Sequence, residues 1–326
     1  MSRGSRSGCP YLLEWRKYMR KVQKRMAILL SVCLLLGMFG GCTTDVPQPE
    51  PTEGKQEQET NVYHNTKWNG KSMKVLAIGN SYSEDTTYFL YDIAKTYGVE
   101  DVVIGNMYVG SCTLEMHCEN IENNAPNYVY MKNDQGKWVH TPGKTLLDGL
   151  QDEEWDFIVF HQESMNAGNP ASYGDYLTTL TTYVRRNISN PDCQLVWNLT
   201  WAYSANSANP KFLQYNRDQW AMYSAIMSAV QEKVLPVKDI GIVIPTGTAI
   251  QNARSYFGNE FTRDEYDHLN SFGRLVAGYM WYVSLTGEPL LELKFQPAGL
   301  ELTAQAERKI LNSLVAAYNT PFEAKE

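Results

Sequence analysis

Five apolar runs of four to seven residues recur along the chain, each stopped by a polar or glycine-bearing cluster: 74–78 (KVLAI), 102–108 (VVIGNMY), 157–160 (FIVF), 194–199 (QLVWNL) and 240–244 (IGIVI). Runs this short, without strict polar alternation, suit strands covered on both faces. Helix-length segments separate or follow them at 86–97, near 146, 173–188, 214–234, 271–285 and 303–318; in the third, Leu177, Leu180 and Val184 share one face. The alternation predicts an α/β fold, a three-layer α/β/α sandwich around a mostly parallel central sheet, flavodoxin-like in type. Residues 127–140 (NYVYMKNDQGKWVH) read as an inserted hairpin turning at 133–136. In such a sheet, ligands bind where strands end at their carboxyl edge, so chemistry is sought there.

The front of the chain is of another kind. Residues 1–41 hold eight Lys or Arg and one Glu, leaving 21 basic against 35 acidic groups, a net of −14, in the remainder. Lys17, Arg20, Lys21, Lys24 and Arg25 precede an apolar run at 26–39, then Gly40, Gly41 and Cys42. That order is an export signal, and the run is shorter than the roughly 20 residues of a membrane span. Small residues directly before a cysteine resemble the bacterial lipoprotein signal, which implies lipidation of Cys42 and attachment to the cell envelope on its extracytoplasmic face. An ordinary signal peptide or an anchor helix is the other reading. Residues 42–70, rich in Pro, Glu, Gln and Thr and poor in aliphatics, read as a flexible tether. A single domain is then expected over residues 71–326, acting as a monomer. Its acidity argues against nucleic acid or anionic lipid as a partner and leaves the membrane contact to the lipid on Cys42. Beyond Cys42 only Cys112, Cys118 and Cys193 remain, without zinc-type spacing. Cys112 and Cys118 are near enough to close a small loop; buried or free thiols are the alternative.

Four strand ends carry polar clusters. Gly79-Asn80-Ser81-Tyr82-Ser83 follows the first run. A serine between a strand and a helix has its N–H at a helix start, where a developing oxyanion is favoured, and its hydroxyl at the sheet edge. The same sequence also serves as a turn and helix cap. Val109-Gly110-Ser111 follows the second: a glycine there lets a backbone N–H approach a substrate, or simply makes a turn. His161-Gln162-Glu163-Ser164 follows the third, where the Gln162 amide is either an oxyanion donor or a loop cap. Beyond the fifth lies Thr262-Arg263-Asp264-Glu265-Tyr266-Asp267-His268-Leu269-Asn270. A serine nucleophile needs a base titrating near neutrality, which a histidine beside a carboxylate supplies. Of five histidines, His268 has three carboxylates within four residues; a solvated cap or a partial metal site is the competing reading.

Together these blocks resemble the SGNH (GDSL-type) hydrolase superfamily over most of residues 72–290. The resemblance implies that Ser81 is the nucleophile, Gly110 the backbone donor and His268 the base. It makes Gln162 the amide donor, as in carbohydrate acetylesterases with a His-Gln-Gly-Glu block. Asp264 stands four residues before His268, where the family spacing is three and Glu265 falls. Asp264 is favoured as the carboxylate, then Glu265, then Asp267. The implied activity is ester hydrolysis through an acyl-enzyme, most plausibly removal of O-acetyl groups from carbohydrates, with no cofactor or metal required. Trp201 and Tyr203, with Trp197, follow the fourth strand as a candidate sugar platform, core packing being the other reading. The competing function is a non-catalytic, glycan-binding surface lipoprotein on the same fold.

Overall fold

The computed structural model describes residues 68–264 and 267–325. The export signal, Cys42, most of the tether and Glu265 lie outside the described residues. The described chain runs β1 (Ser72–Gly79), α1 (Ser81–Thr87), α2 (Leu90–Thr96), β2 (Asp101–Tyr108), α3 (Leu114–Glu122), β3 (Tyr128–Asn133), β4 (Trp138–Lys144), α4 (Leu146–Leu150) and β5 (Phe157–Phe160). It continues through α5 (Tyr176–Asn187), β6 (Gln194–Asn198), α6 (Gln219–Lys233), β7 (Ile240–Ile244), α7 (Thr246–Phe257), α8 (Ser271–Thr286) and α9 (Ala304–Asn319).

The seven strands form one sheet in the order β4-β3-β2-β1-β5-β6-β7. β1 pairs in parallel with β2 and β5, and β5-β6-β7 continue in parallel. The hairpin β3-β4 adds two antiparallel strands beyond β2, as its turn residues predict. Stripped of that hairpin, the parallel order is flavodoxin-like, and the direction of winding reverses beside β1. The five parallel strands are the five apolar runs. From Val75 to Gly79 every residue of β1 is buried, as is all of β5, because helices cover both faces. Helices α1, α2, α7, α8 and α9 pack with one another on one side, and α3, α4 and α5 pack together separately. Among the described residues no helix is long and apolar enough to cross a membrane.

Two helix boundaries differ from the sequence expectation. The helix expected at 86–97 is two short ones, and the first begins at Ser81, capped by the Asn80 side chain accepting from Tyr82 N. The helix expected from 214 begins at Gln219. Asn216 and Arg217 take left-handed backbone angles, and Asp218 caps the new start through the N–H groups of Trp220 and Ala221.

Candidate active site

The end of β1 and the start of α1 fix the first group. Asn80 is 2% exposed; its Oδ1 caps α1 and its Nδ2 donates to Cys112 O at 3.1 Å. Ser81 is thereby the first residue of α1, so its N–H is among those a helix leaves without an internal acceptor. Next to it, Val109 N donates to Gly79 O, and Cys112 N donates back to Val109 O at 3.2 Å. The latter bond closes a turn with Gly110 and Ser111 at its centre, Ser111 taking a positive φ of 52°. Gly110 is exposed in this turn, two residues beyond the end of β2, whose Tyr108 pairs with Gly79.

The second group comes from the loop before α8, which folds back as a small closed ring. Thr262 and Leu269 form an antiparallel bridge, Arg263 N donates to His268 O at 2.8 Å, and Asn270 N donates to Phe261 O at 2.9 Å. Within it, His268 Nε2 lies 2.8 Å from Ser81 Oγ, and His268 Nδ1 lies 2.7 Å from Asp264 Oδ2. Asp264 Oδ1 also accepts from His268 N at 3.1 Å, so one carboxylate holds both the ring and the backbone of the histidine. With Nδ1–H donating to Asp264, Nε2 faces the serine as an acceptor. Chemically, that arrangement can work as a base, its orienting carboxylate and a nucleophile in line.

The ring is pinned to α1 by a residue the sequence reading passed over. Asp85, one turn beyond Ser81, is 0% exposed. It accepts from Leu269 N at 2.6 Å, from Arg263 Nη1 at 2.7 Å and from Arg274 Nε at 2.8 Å. One buried carboxylate thus couples the helix of Ser81 to the loop of His268. Asp267 makes a second anchor elsewhere: its carboxylate accepts from Ser204 N at 2.6 Å and Ser207 Oγ at 2.5 Å, and its carbonyl accepts from Trp201 Nε1 at 3.0 Å. Asp267 therefore ties the loop to the segment after β6 and does not reach the His268 ring. Asp264, the favoured carboxylate, is the one that does.

Two expectations are corrected, and one open alternative is decided. Gln162 is 0% exposed, and its amide is already committed: Nε2 donates to Ser172 O and Oγ, and Oε1 accepts from Leu114 N and Glu163 N. It braces loops and offers no donor to an oxyanion. Trp201 and Tyr203 are both 0% exposed. Trp201 stacks on Tyr82 at 3.9 Å, and Tyr203 OH meets Ser164 Oγ at 3.1 Å. The segment after β6 runs beneath the histidine loop, so these rings support it from below and form no platform. Cys112 and Cys118 are free thiols, both pushed up to about 12 chiefly by burial.

Two of the other described histidines, His161 and His117, are otherwise employed. His161 is buried under Gly79, where a Cβ would sit 2.1 Å from its Nε2, and burial lowers it to about 4. His117 bonds Tyr128 OH through Nδ1 and is lowered by burial to about 3. Both are neutral at pH 7 and packed in the core. Among the described residues no group of three or more His, Cys, Asp or Glu is arranged to hold a metal. A cavity of about 740 Å³ touches Phe157, Gln194 and Asp239, at the amino ends of β5 and β6 and so at the opposite edge from Ser81.

The family model "Domain of unknown function (DUF4886)" matches residues 74–314. A solved DUF4886 family protein from Bacteroides uniformis ATCC 8492 is 36% identical, with a TM-score of 0.73, over 78% of this chain and 98% of that one. The structural neighbours also include SGNH hydrolases and acetylxylan esterases. A candidate SGNH hydrolase from Slackia heliotrinireducens is 17% identical, with a TM-score of 0.44, over 66% of this chain and 100% of that one. The acetylxylan esterase Axe2 from Geobacillus stearothermophilus is 10% identical, with a TM-score of 0.42, over 67% and 96%. At those scores the last two are likenesses of fold and say nothing of chemistry. No curated protein matches the chain.

Proposed function

The chain belongs to the DUF4886 family, and from that premise we propose that it is a serine ester hydrolase of the SGNH type, exported and held at the cell envelope by a lipid on Cys42. The observation that carries the enzymatic reading is the unbroken line Ser81 Oγ–His268 Nε2–Asp264, at 2.8 and 2.7 Å, at the carboxyl edge of a parallel sheet beside its reversal point.

In this reading His268 Nε2 takes the Ser81 proton as Oγ attacks the ester carbonyl, forming a C–O bond and a tetrahedral oxyanion. The imidazolium, held by Asp264, then gives that proton to the departing alcohol as the scissile bond breaks. A water attacks the acyl-serine, again with His268 taking its proton, and the acid leaves with Ser81 restored. The N–H groups of Ser81, at the start of α1, and of Gly110, in the turn after β2, are the donors assigned to the oxyanion in this reading. With the Gln162 amide spent on Ser172, the hole rests on main-chain donors, each worth about 10²- to 10³-fold in rate. An acyl-enzyme route needs no metal to activate water. The preferred substrates are O-acetyl groups on carbohydrates, and export of the chain would bring it to such groups outside the cell.

The purified full-length chain is expected to hydrolyse 4-nitrophenyl acetate and to release acetate from acetylated glycans. Ser81→Ala is expected to lower both rates by at least about 10³-fold. A rate unchanged by that substitution defeats the proposal.

A further inference from the structure

A second cavity, of about 220 Å³, opens further along the helix that carries Ser81. Its walls include Glu84 from the middle of α1, Tyr88 just past that helix's end, Asn106 from β2, and Trp138 and His140 from the β3-β4 hairpin. Ser81, Glu84 and Tyr88 follow the i, i+3, i+7 spacing that puts side chains in one stripe along a helix. Seven residues at 1.5 Å each set Tyr88 about 10 Å from Ser81. The cavity therefore continues the surface on which Ser81 stands. The hairpin that forms its far wall is held to the helix by Trp138 Nε1 donating to Tyr88 O at 3.3 Å.

Its polar groups are of complementary kinds. Asn106 is 0% exposed, its Oδ1 accepts from Ser83 Oγ, and its Nδ2 has no hydrogen-bond partner among the described residues. A buried, unpaired amide donor on the wall of a cavity marks a place where a ligand acceptor is wanted. Glu84 is half-buried, and its carboxylate makes no hydrogen bond among the described residues, which offers an acceptor on the same wall. His140 is exposed at the mouth and can play either part. Arg274 covers one face of Tyr88 at 4.0 Å, and Trp138 of the hairpin adds an indole to the cavity wall. An anion would meet Glu84, and a cation would leave the Asn106 donor unsatisfied. A neutral ring with hydroxyls that both donate and accept, and with an apolar face for an indole, satisfies all of them.

We propose that this cavity is a saccharide subsite that binds one neutral sugar ring. It rests on the esterase reading in one respect only: the ring held here belongs to the same oligosaccharide as the acylated unit at Ser81, further along the chain. The aromatic contact to sugar is thus Trp138 of the hairpin, in place of the buried Trp201 and Tyr203.

Two arms test it. In the full-length Ser81→Ala protein, calorimetry with unacetylated trisaccharides of xylose, glucose and mannose is expected to show binding of at least one. Adding Trp138→Ala is expected to weaken that binding at least tenfold, and Trp138→Phe to keep it within about threefold, with melting temperatures checking that all variants fold. Binding equally tight in Trp138→Ala, or no binding of any trisaccharide, overturns the subsite. In the Ser81 protein, the ratio of kcat/KM for an acetylated trisaccharide to that for the acetylated monosaccharide is expected to fall at least tenfold in Trp138→Ala. An unchanged ratio also overturns it. If the parent releases no acetate from any ester, the esterase reading fails by itself, and the calorimetric arm alone decides the subsite.

Discussion

Asp85 shows what a single residue does in this site and why its sequence position hid it. Its three partners lie 178, 184 and 189 residues further along the chain, so nothing near it distinguishes it from an ordinary acid on a short helix. Ser81, Gly110 and His268, by contrast, each announce themselves within a few neighbours at a strand end or a loop. The choice of Asp264 over Asp267 was legible only in part, because both carboxylates are near His268 in sequence and the direction of each depends on the ring that the loop makes. Asp85 touches no reacting atom and is a positioning residue. Asp85→Asn keeps the shape but removes the charge that faces two guanidinium groups and the Leu269 N–H. Arg263 and Arg274 retain 37% and 15% side-chain exposure, so water can compensate part of the loss. The expected cost is about 3 kcal/mol, the low end for a broken buried pair. Loss of His268 register is expected to lower kcat about 10²-fold. Measured per mole of folded protein on 4-nitrophenyl acetate, kcat is expected to fall with KM within threefold. A kcat per mole of folded protein equal to the parent's shows Asp85 to be structural alone.

At the scale of elements, periodicity identified which segments would be strands but not how deep their flanking residues would lie. Trp201 and Tyr203 sit at a strand end, where a ring is as ready to plug the core as to face solvent. The bond from Trp201 Nε1 to the Asp267 carbonyl, 66 residues away, decides for the core. Gln162 is a similar case: its amide joins the start of α3 to the Pro170–Ser172 turn, a use visible only once those segments meet. The hairpin was read correctly because its turn residues and two short runs are local, yet its service as a wall beside α1 is a tertiary fact. The turn between β2 and α3 makes a further prediction. Cys112 and Cys118 are free, and thiols held near 12 are almost entirely protonated at neutral pH, hence poor nucleophiles. Dithiothreitol is therefore expected to leave the melting temperature within about 1 °C, as a lost disulfide typically costs 2–5 kcal/mol and would shift it far more. A clear drop in the reduced protein means that these cysteines pair.

For the whole molecule, the sheet order places the winding reversal beside β1, and the need to cover both sheet faces buries two histidines that take no part in the proposed chemistry. The pKa of His161 is lowered by burial to about 4 and that of His117 to about 3, against 6.5 when exposed. A base whose folded pKa is depressed contributes stability that is present above 6.5 and lost as the pH falls, since only the unfolded chain then takes up the proton. Each contributes about 1.4 kcal/mol per pH unit below 6.5, so near pH 5 the pair removes about 4 kcal/mol. Glu163 and Asp267 act in the opposite sense. Burial raises both carboxyls, so their contribution is present at low pH and is lost as the pH rises through their folded values. The histidine part is isolated by comparison with His117→Gln, which removes the titrating ring. Urea unfolding at pH 7 and pH 5 is expected to show a stability loss about 2 kcal/mol smaller in His117→Gln than in the parent. Equal losses in the two proteins imply that His117 is protonated in the folded state, which requires an acceptor or water at the Nε2 that has no protein partner.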